Sequence, residues 1–145
     1  MDAVSRKGLL MKIEFEVEGQ VRGKGRPRFT RSGHTYTDSN TVAYENLIRR
    51  RYFECCGIAP TDKPVHVEIR IFFKPAQSLS KKKRAEVLQT EPMRKPDIDN
   101  VIKVVLDALN EIAWADDKQV VSVFARKSWT AKIEERIEIA IETEE

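Results

Sequence analysis

The stretch "DIDNVIKVVLDALNEI", residues 97–112, decides how the rest of the chain is read. Ile98, Val101, Ile102, Val105, Leu109 and Ile112 recur every three or four residues, with Leu106 beside them, and that spacing predicts an amphipathic helix. Pro96 fits just ahead of the cap. Asp97 is a good N-cap residue, and Asp99 in the first turn suits the positive end of the helix dipole.

Working outward, "KIEFEVE" (12–18) alternates charged and apolar residues, which predicts a half-buried strand with Ile13, Phe15 and Val17 inward. "VHVEIRIFFK" (65–74) alternates in the same way, with Val65, Val67, Ile69 and Ile71 on one face. Between them, Asp38 or Ser39 caps a helix whose rough apolar face holds Val42, Tyr44, Leu47, Ile48, Tyr52 and Phe53. "RRR" at 49–51 lies towards its end, and Gly57 stops it. "SLSKKKRAEVLQ" (78–89) opens on a serine cap and predicts a short, very basic helix. After the central helix, "QVVSVFARKSW" (119–129) and "AKIEERIEIAIE" (131–142) read as two closing strands. The order β-α-β-α-α-β-β predicts an α/β (α+β) fold, a mixed sheet of about four strands with helices packed on it.

A chain of 145 residues is the size of one domain, here 1–145. Residues 1–10 read as a loose leader, with Met11 an equally good start, and 143–145 as a tail. At 41% apolar and 34% charged, with six glycines and six prolines, the composition excludes a disordered chain. No run approaches the roughly 18 apolar residues of a membrane span, and the N-terminus lacks a signal peptide. Cys55 and Cys56 are adjacent, so they neither staple distant segments nor have zinc-knuckle spacing; reduced thiols in a cytoplasmic protein are expected.

Charge is unevenly spread. Residues 20–103 hold 18 Lys/Arg against 9 Asp/Glu, leaving 8 against 14 elsewhere, so the middle of the chain suits a polyanion. Within it, "GQVRGKGRPRFTRSGHTYTD" (19–38) is long, glycine-rich and aperiodic, the character of a functional loop. Arg22, Lys24, Arg26, Arg28 and Arg31 in that loop, with Lys81, Lys82, Lys83 and Arg84, are candidates for holding phosphates. Phe29 or Tyr36 can wedge or stack at opened DNA, or Phe29 can simply anchor its loop to the core.

The acids are the sharper signal. Asp97 and Asp99 stand two residues apart with Asn100 behind them, and "ADDK" (115–118) adds Asp116 and Asp117. A cap and a turn explain each clump alone. Together they also supply the oxygen ligands that Mg²⁺ prefers, and such an ion can polarise a phosphodiester and activate a water. Lys103, one helical turn after Asp99, can face a phosphate or pair with Asp99 or Asp107. A helix from 98 to 112 is roughly 20 Å long. The two clumps therefore meet only if 112–117 doubles back or a partner chain supplies the second. His34 and His66 lie on different elements, so no histidine-based nucleophilic site competes.

"KPDIDNVIKVVLDALNEIAWADDKQVV" (95–121) closely resembles the motif of the RusA family of Holliday-junction resolvases, endodeoxyribonucleases often carried by phages and prophages. The match runs D-x-D-N-x-x-K-x-x-x-D-A-L and then W-x-D-D-x-Q-V. "GKGRPRFTRSGHTYTD" is similar to the basic, aromatic N-terminal segment of many members. The resemblance implies an α/β fold and catalytic aspartates at Asp97, Asp99 and Asp117, with Asp116 adjacent and an essential Lys103. It also implies a homodimer that binds a four-way junction and needs Mg²⁺, with Mn²⁺ able to substitute. Asn100 would orient a carboxylate or cap the helix. The sequence departs from the founding member's arginine-rich lead-in at "MRKP" (93–96), which bears on substrate preference. The expected activity is paired nicking of a junction in DNA recombination and repair. The alternatives are a branched-DNA-binding protein without catalysis, or a metal-dependent nuclease of other nucleic acid.

Overall fold

The computed structural model describes residues 10–56, 60–131 and 134–144. Its sheet holds β1 (Leu10–Glu18), β4 (Val65–Phe73), β5 (Val120–Trp129) and β6 (Arg136–Glu144) in the order β1-β6-β4-β5. β6 runs antiparallel to both β1 and β4, whereas β4 and β5 are parallel, so the sheet is mixed as expected. The parallel pair exists because a long crossover leads from β4 to β5. That crossover carries α2 (Lys81–Val87) and α3 (Ile98–Leu109). Helix α1 (Ser39–Cys55) packs against both α3 and β1.

The strand alternation resolves as the sequence predicts. Val65, Val67, Ile69, Ile71 and Phe73 of β4 are buried, as are Ile137, Ile139 and Ile141 of β6. These side chains meet Val101, Val104, Val105, Ala108 and Leu109 of α3. At about 1.5–3 kcal/mol for each fully buried large aliphatic side chain, this layer is the main source of stability.

Four expectations shift. The buried face of α3 is turned slightly from the predicted stripe: Val104 and Ala108 are buried, while Ile98 is exposed in the first turn. On α1, Val42 and Phe53 are exposed, and the buried face is Thr41, Tyr44, Glu45, Ile48 and Tyr52. Thr41 and Glu45 are polar and buried because the basic loop bonds to both. That loop is not structureless either: β2 (Arg28–Phe29) pairs with β3 (Thr35–Tyr36) in a small ribbon. Finally, α1 ends at a Cys56 C-cap; Gly57, the expected stop, lies outside the described residues, as do residues 1–9 of the expected leader.

Candidate active site

Helix α3 begins with Asp97 in the N-cap position, yet the Asp97 side chain makes no capping hydrogen bond. Its backbone carbonyl accepts from the amides of Asn100 and Val101, while its carboxylate is exposed and has no hydrogen-bond or ion-pair partner among the described residues. By contrast, Asp38 caps α1 by accepting from the Asn40 amide, and Ser80 caps α2 by accepting from the Lys83 amide. The Asp97 charge is left open to solvent at the positive end of the helix dipole. Asp99, two residues on, is exposed and has no ion-pair partner among the described residues.

The two carboxylates line an open groove with Met93, Ile98, Ala125, Arg126 and Lys127. The segment before α3 is braced beneath it. Glu91 pairs with Arg126 at 3.0 Å, the Lys127 ammonium donates to the Arg94 carbonyl at 2.6 Å, and the Arg94 guanidinium lies over the Phe73 ring at 4.7 Å. Arg126, paired with Glu91, and Lys127 thus put two strand-borne cations on the rim of the groove that sequence reasoning missed. Nothing local distinguishes two strand-borne cations from solvated ones, and only the fold brings them to the acids. Lys103 is exposed one turn beyond Asp99. It pairs with neither Asp99 nor Asp107 among the described residues; Asp107 is taken by Lys24.

The basic loop is stapled to this end of α3. The Lys24 amide donates to the Asn100 carbonyl at 2.9 Å, and Gly23 lies so close that a Cβ there would sit 2.8 Å from Asn100 Cβ and 2.9 Å from Pro96 Cβ. The Gly25 amide donates to Thr41 Oγ1 at 2.9 Å. Lys24 itself is a correction to the set of phosphate-holding residues. Its ammonium is turned inward and bridges Glu45 at 2.9 Å and Asp107 at 3.0 Å, tying the loop to α1 and α3 together. Burial alone lowers its pKa, but the hydrogen bonds and charges of those two carboxylates outweigh it and raise the lysine above its ordinary value.

Arg22, Arg26 and Arg31 remain exposed, Arg22 donating to Gln20 Oε1 at 3.3 Å. Arg28 donates to Asp38 at 3.0 Å, which docks the ribbon on the start of α1. The ribbon holds Phe29 in the open, 71% exposed, so Phe29 does not anchor its loop to the core. Tyr36 is exposed beside the same ribbon. On α2, Lys81, Lys82 and Lys83 are exposed, whereas Arg84 reaches back to the carbonyls of Ala76 and Gln77 and supports its own loop. The opposite face of the sheet is lined by Glu14, Glu16, Glu68, Glu138 and Glu142, and Lys12, Arg70 and Arg136 there are paired with its glutamates. A polyanion is therefore directed to the helical side and the β5 edge.

The second acid clump lies elsewhere. Asp117–Gln119 form a 3₁₀ turn that opens β5. Asp116 caps it by accepting from the Lys118 amide at 2.9 Å, its own amide donates to Gln119 Oε1, and Gln119 Nε2 donates to the carbonyls of Thr61 and Lys63. Asp117 accepts a 3.0 Å hydrogen bond from Nε1 of Trp114, whose side chain is fully buried. A rigid indole thus fixes one carboxylate oxygen. Trp114 bridges to Asn110, the C-cap of α3, so Asp117 sits at the end of the helix opposite Asp97 and Asp99. A 12-residue helix separates them by about 18 Å.

The connection 112–117 does not double back. Among the described residues no three acidic, histidine or cysteine side chains gather around a point where a metal ion could sit. The end of α3 offers two outward carboxylates, a hard all-oxygen pair that fits Mg²⁺, which is commonly held by one or two carboxylates with water and phosphate oxygens completing the shell.

Comparison with known proteins bears on this arrangement. The family model described as "Endodeoxyribonuclease RusA" matches residues 18–142. A relative from Bacillus subtilis (strain 168), the uncharacterized protein YqaN, is 30% identical over 136 residues, covering 89% of this chain and 94% of the relative.

Proposed function

Because the chain belongs to the RusA family of endodeoxyribonucleases, we propose that it cleaves four-way DNA junctions by Mg²⁺-dependent hydrolysis, one strand nicked at each site of a homodimer. The observation that supports this most is the pair of unengaged carboxylates, Asp97 and Asp99, facing a groove with a cationic rim. Asp97 and Asp99 would hold the ion, with Asp117 of a second copy completing the set. When bound, it would supply polarisation of the phosphate and a more acidic attacking water. Lys103 faces the phosphate and offsets charge there, and Asn100, whose carbonyl takes the Lys24 amide, keeps the first turn of α3 in register with the loop. Arg22, Arg26, Arg31 and Lys81–Lys83 contact flanking phosphates. Phe29 on its ribbon stacks at the opened branch point. In this reading the enzyme works on DNA in the cytoplasm, where its free thiols Cys55 and Cys56 stay reduced.

Mixing two inactive variants tests the reading. Asp97→Asn and Asp117→Asn each abolish cleavage of a synthetic junction in Mg²⁺ while still binding it. If Asp117 acts beside a partner's Asp97, mixed dimers contain one intact site, and nicking returns in the mixture. Junction cutting by Asp97→Asn alone would refute the metal-site assignment, and two inactive variants that never complement would place each site within one chain.

A further inference from the structure

Five charged side chains line the groove at the start of α3: Glu91, Asp97, Asp99, Arg126 and Lys127. They are unequally committed. Lys127 is spent on structure, since its ammonium donates to the Arg94 carbonyl at 2.6 Å and lies 5.7 Å from the centre of the Phe73 ring. Arg126 is held differently. One guanidinium nitrogen donates to both carboxylate oxygens of Glu91, at 3.0 and 3.3 Å. Both side chains of that pair stand in water, Arg126 54% and Glu91 72% exposed. Water and salt screen such a pair, and two long side chains lose rotamer freedom to form it, so it is easily broken. The backbone beside Glu91 is nonetheless anchored: Trp129 Nε1 donates to Thr90 Oγ1 at 3.2 Å, and Pro92 is buried. Fixed chain thus presents the Glu91 carboxylate over the groove, where Arg126 is its partner among the described residues.

We infer that Arg126 is a phosphate-binding residue of this groove and that Glu91 stands in for the phosphate: an incoming phosphodiester displaces the carboxylate and takes the guanidinium. The two anions are alike in the feature that matters. Each offers a pair of oxygens to the planar fork of guanidinium donors. A phosphate on a polyanion adds the release of condensed counterions, which one surface carboxylate cannot match. The displaced Glu91 side chain is already exposed, so it turns to water without uncovering anything.

The neighbouring cations are excluded from this role by their contacts. Lys127 is bound to backbone, Arg94 is stacked on Phe73 at 4.7 Å, and Lys24 is held between Glu45 and Asp107. Before the exchange, Glu91 adds a third negative charge to those of Asp97 and Asp99, so a strand that only brushes the rim is repelled. This inference rests on the reading that the groove receives a DNA phosphate, and deepens it by naming the residue that takes the phosphate and the one that yields.

Binding of a fluorescent four-way junction over a salt series tests the exchange apart from catalysis, in Ca²⁺, a cation of the same oxygen-ligand class as Mg²⁺. Arg126→Gln weakens binding about fivefold and lowers the salt slope by about one. Glu91→Gln keeps the shape, removes the charge and tightens binding about threefold, and most of that gain disappears in the Arg126→Gln background. An unchanged slope in Arg126→Gln overturns the inference. So does an equal gain from Glu91→Gln in both backgrounds, which would be plain repulsion. If the pair only braces the segment before α3, both single variants weaken binding alike, and the inference falls. Wild-type protein that binds no junction overturns the nuclease reading itself, whereas wild type that binds and cuts, beside an Arg126→Gln variant of unchanged slope, overturns the exchange alone.

Discussion

Replacing Lys24 by methionine separates a clamp from a phosphate contact. The methionine keeps much of the stem but removes the ammonium that Glu45 and Asp107 share at 2.9 and 3.0 Å. Two anions that close to one cation lie about 5 Å from each other, and at an effective dielectric near 20 their bare repulsion is about 3 kcal/mol. Two charge-assisted hydrogen bonds, each of about 1.5–3 kcal/mol, vanish as well. Asp107 is a third exposed and recovers hydration, which offsets part of the loss. The expected net destabilisation is about 3 kcal/mol, the lower end of what breaking a buried pair costs. For a chain of this size that lowers the melting temperature by about 6–12 °C. Urea unfolding followed by circular dichroism measures it, and Glu45→Gln in the same background should cost far less than in wild type, because its partner is already gone. The reasoning is refuted if Lys24→Met melts like wild type while its junction affinity loses about one unit of salt slope, the mark of a lost phosphate contact.

The same lysine has an alkaline signature. Its folded pKa is raised above 10.5, so its contribution is full below that value and is lost as pH climbs through the folded pKa. Tyr52, pushed up to about 12 by burial, adds a loss in the same direction, so the difference between wild type and Lys24→Met across pH 10–12 isolates Lys24. Gly23→Ala drives a methyl group into Asn100 and Pro96; we expect a loss of about 1–3 kcal/mol and weaker cleavage, read by calorimetry and a junction assay. Trp114→Phe keeps an aromatic ring in the core, at the cost of a small cavity, and removes the donor to Asp117 Oδ1, so cleavage falls several-fold with junction binding unchanged, and a loss in binding of the same size would refute the positioning role.

Period and capping residues made much of the fold legible. The alternation of β4 and β6 and the stripe of α3 depend only on which face meets the core, and Asp38 and Ser80 cap as residues of their type should. Contacts between distant segments were not legible. Thr41 and Glu45 look like solvated positions until Gly25 and Lys24 arrive from sixteen and twenty-one residues away. Lys24 has no local mark that separates it from Arg22 or Arg26. Asp97 read as a cap because its type and place are those of a cap; only the geometry shows its side chain free. The separation of Asp97 from Asp117 was legible as an alternative, since helix length fixed the gap but not which way the connection would run.

The charged flank of β1 also bears on aggregation. β1 is an edge of the sheet, and its alternating Lys12, Glu14, Glu16 and Glu18 put a charge at every second position of that edge. A strand of another chain that tried to extend the sheet there would have to crowd or desolvate those charges, so this edge is protected from seeding a fibre.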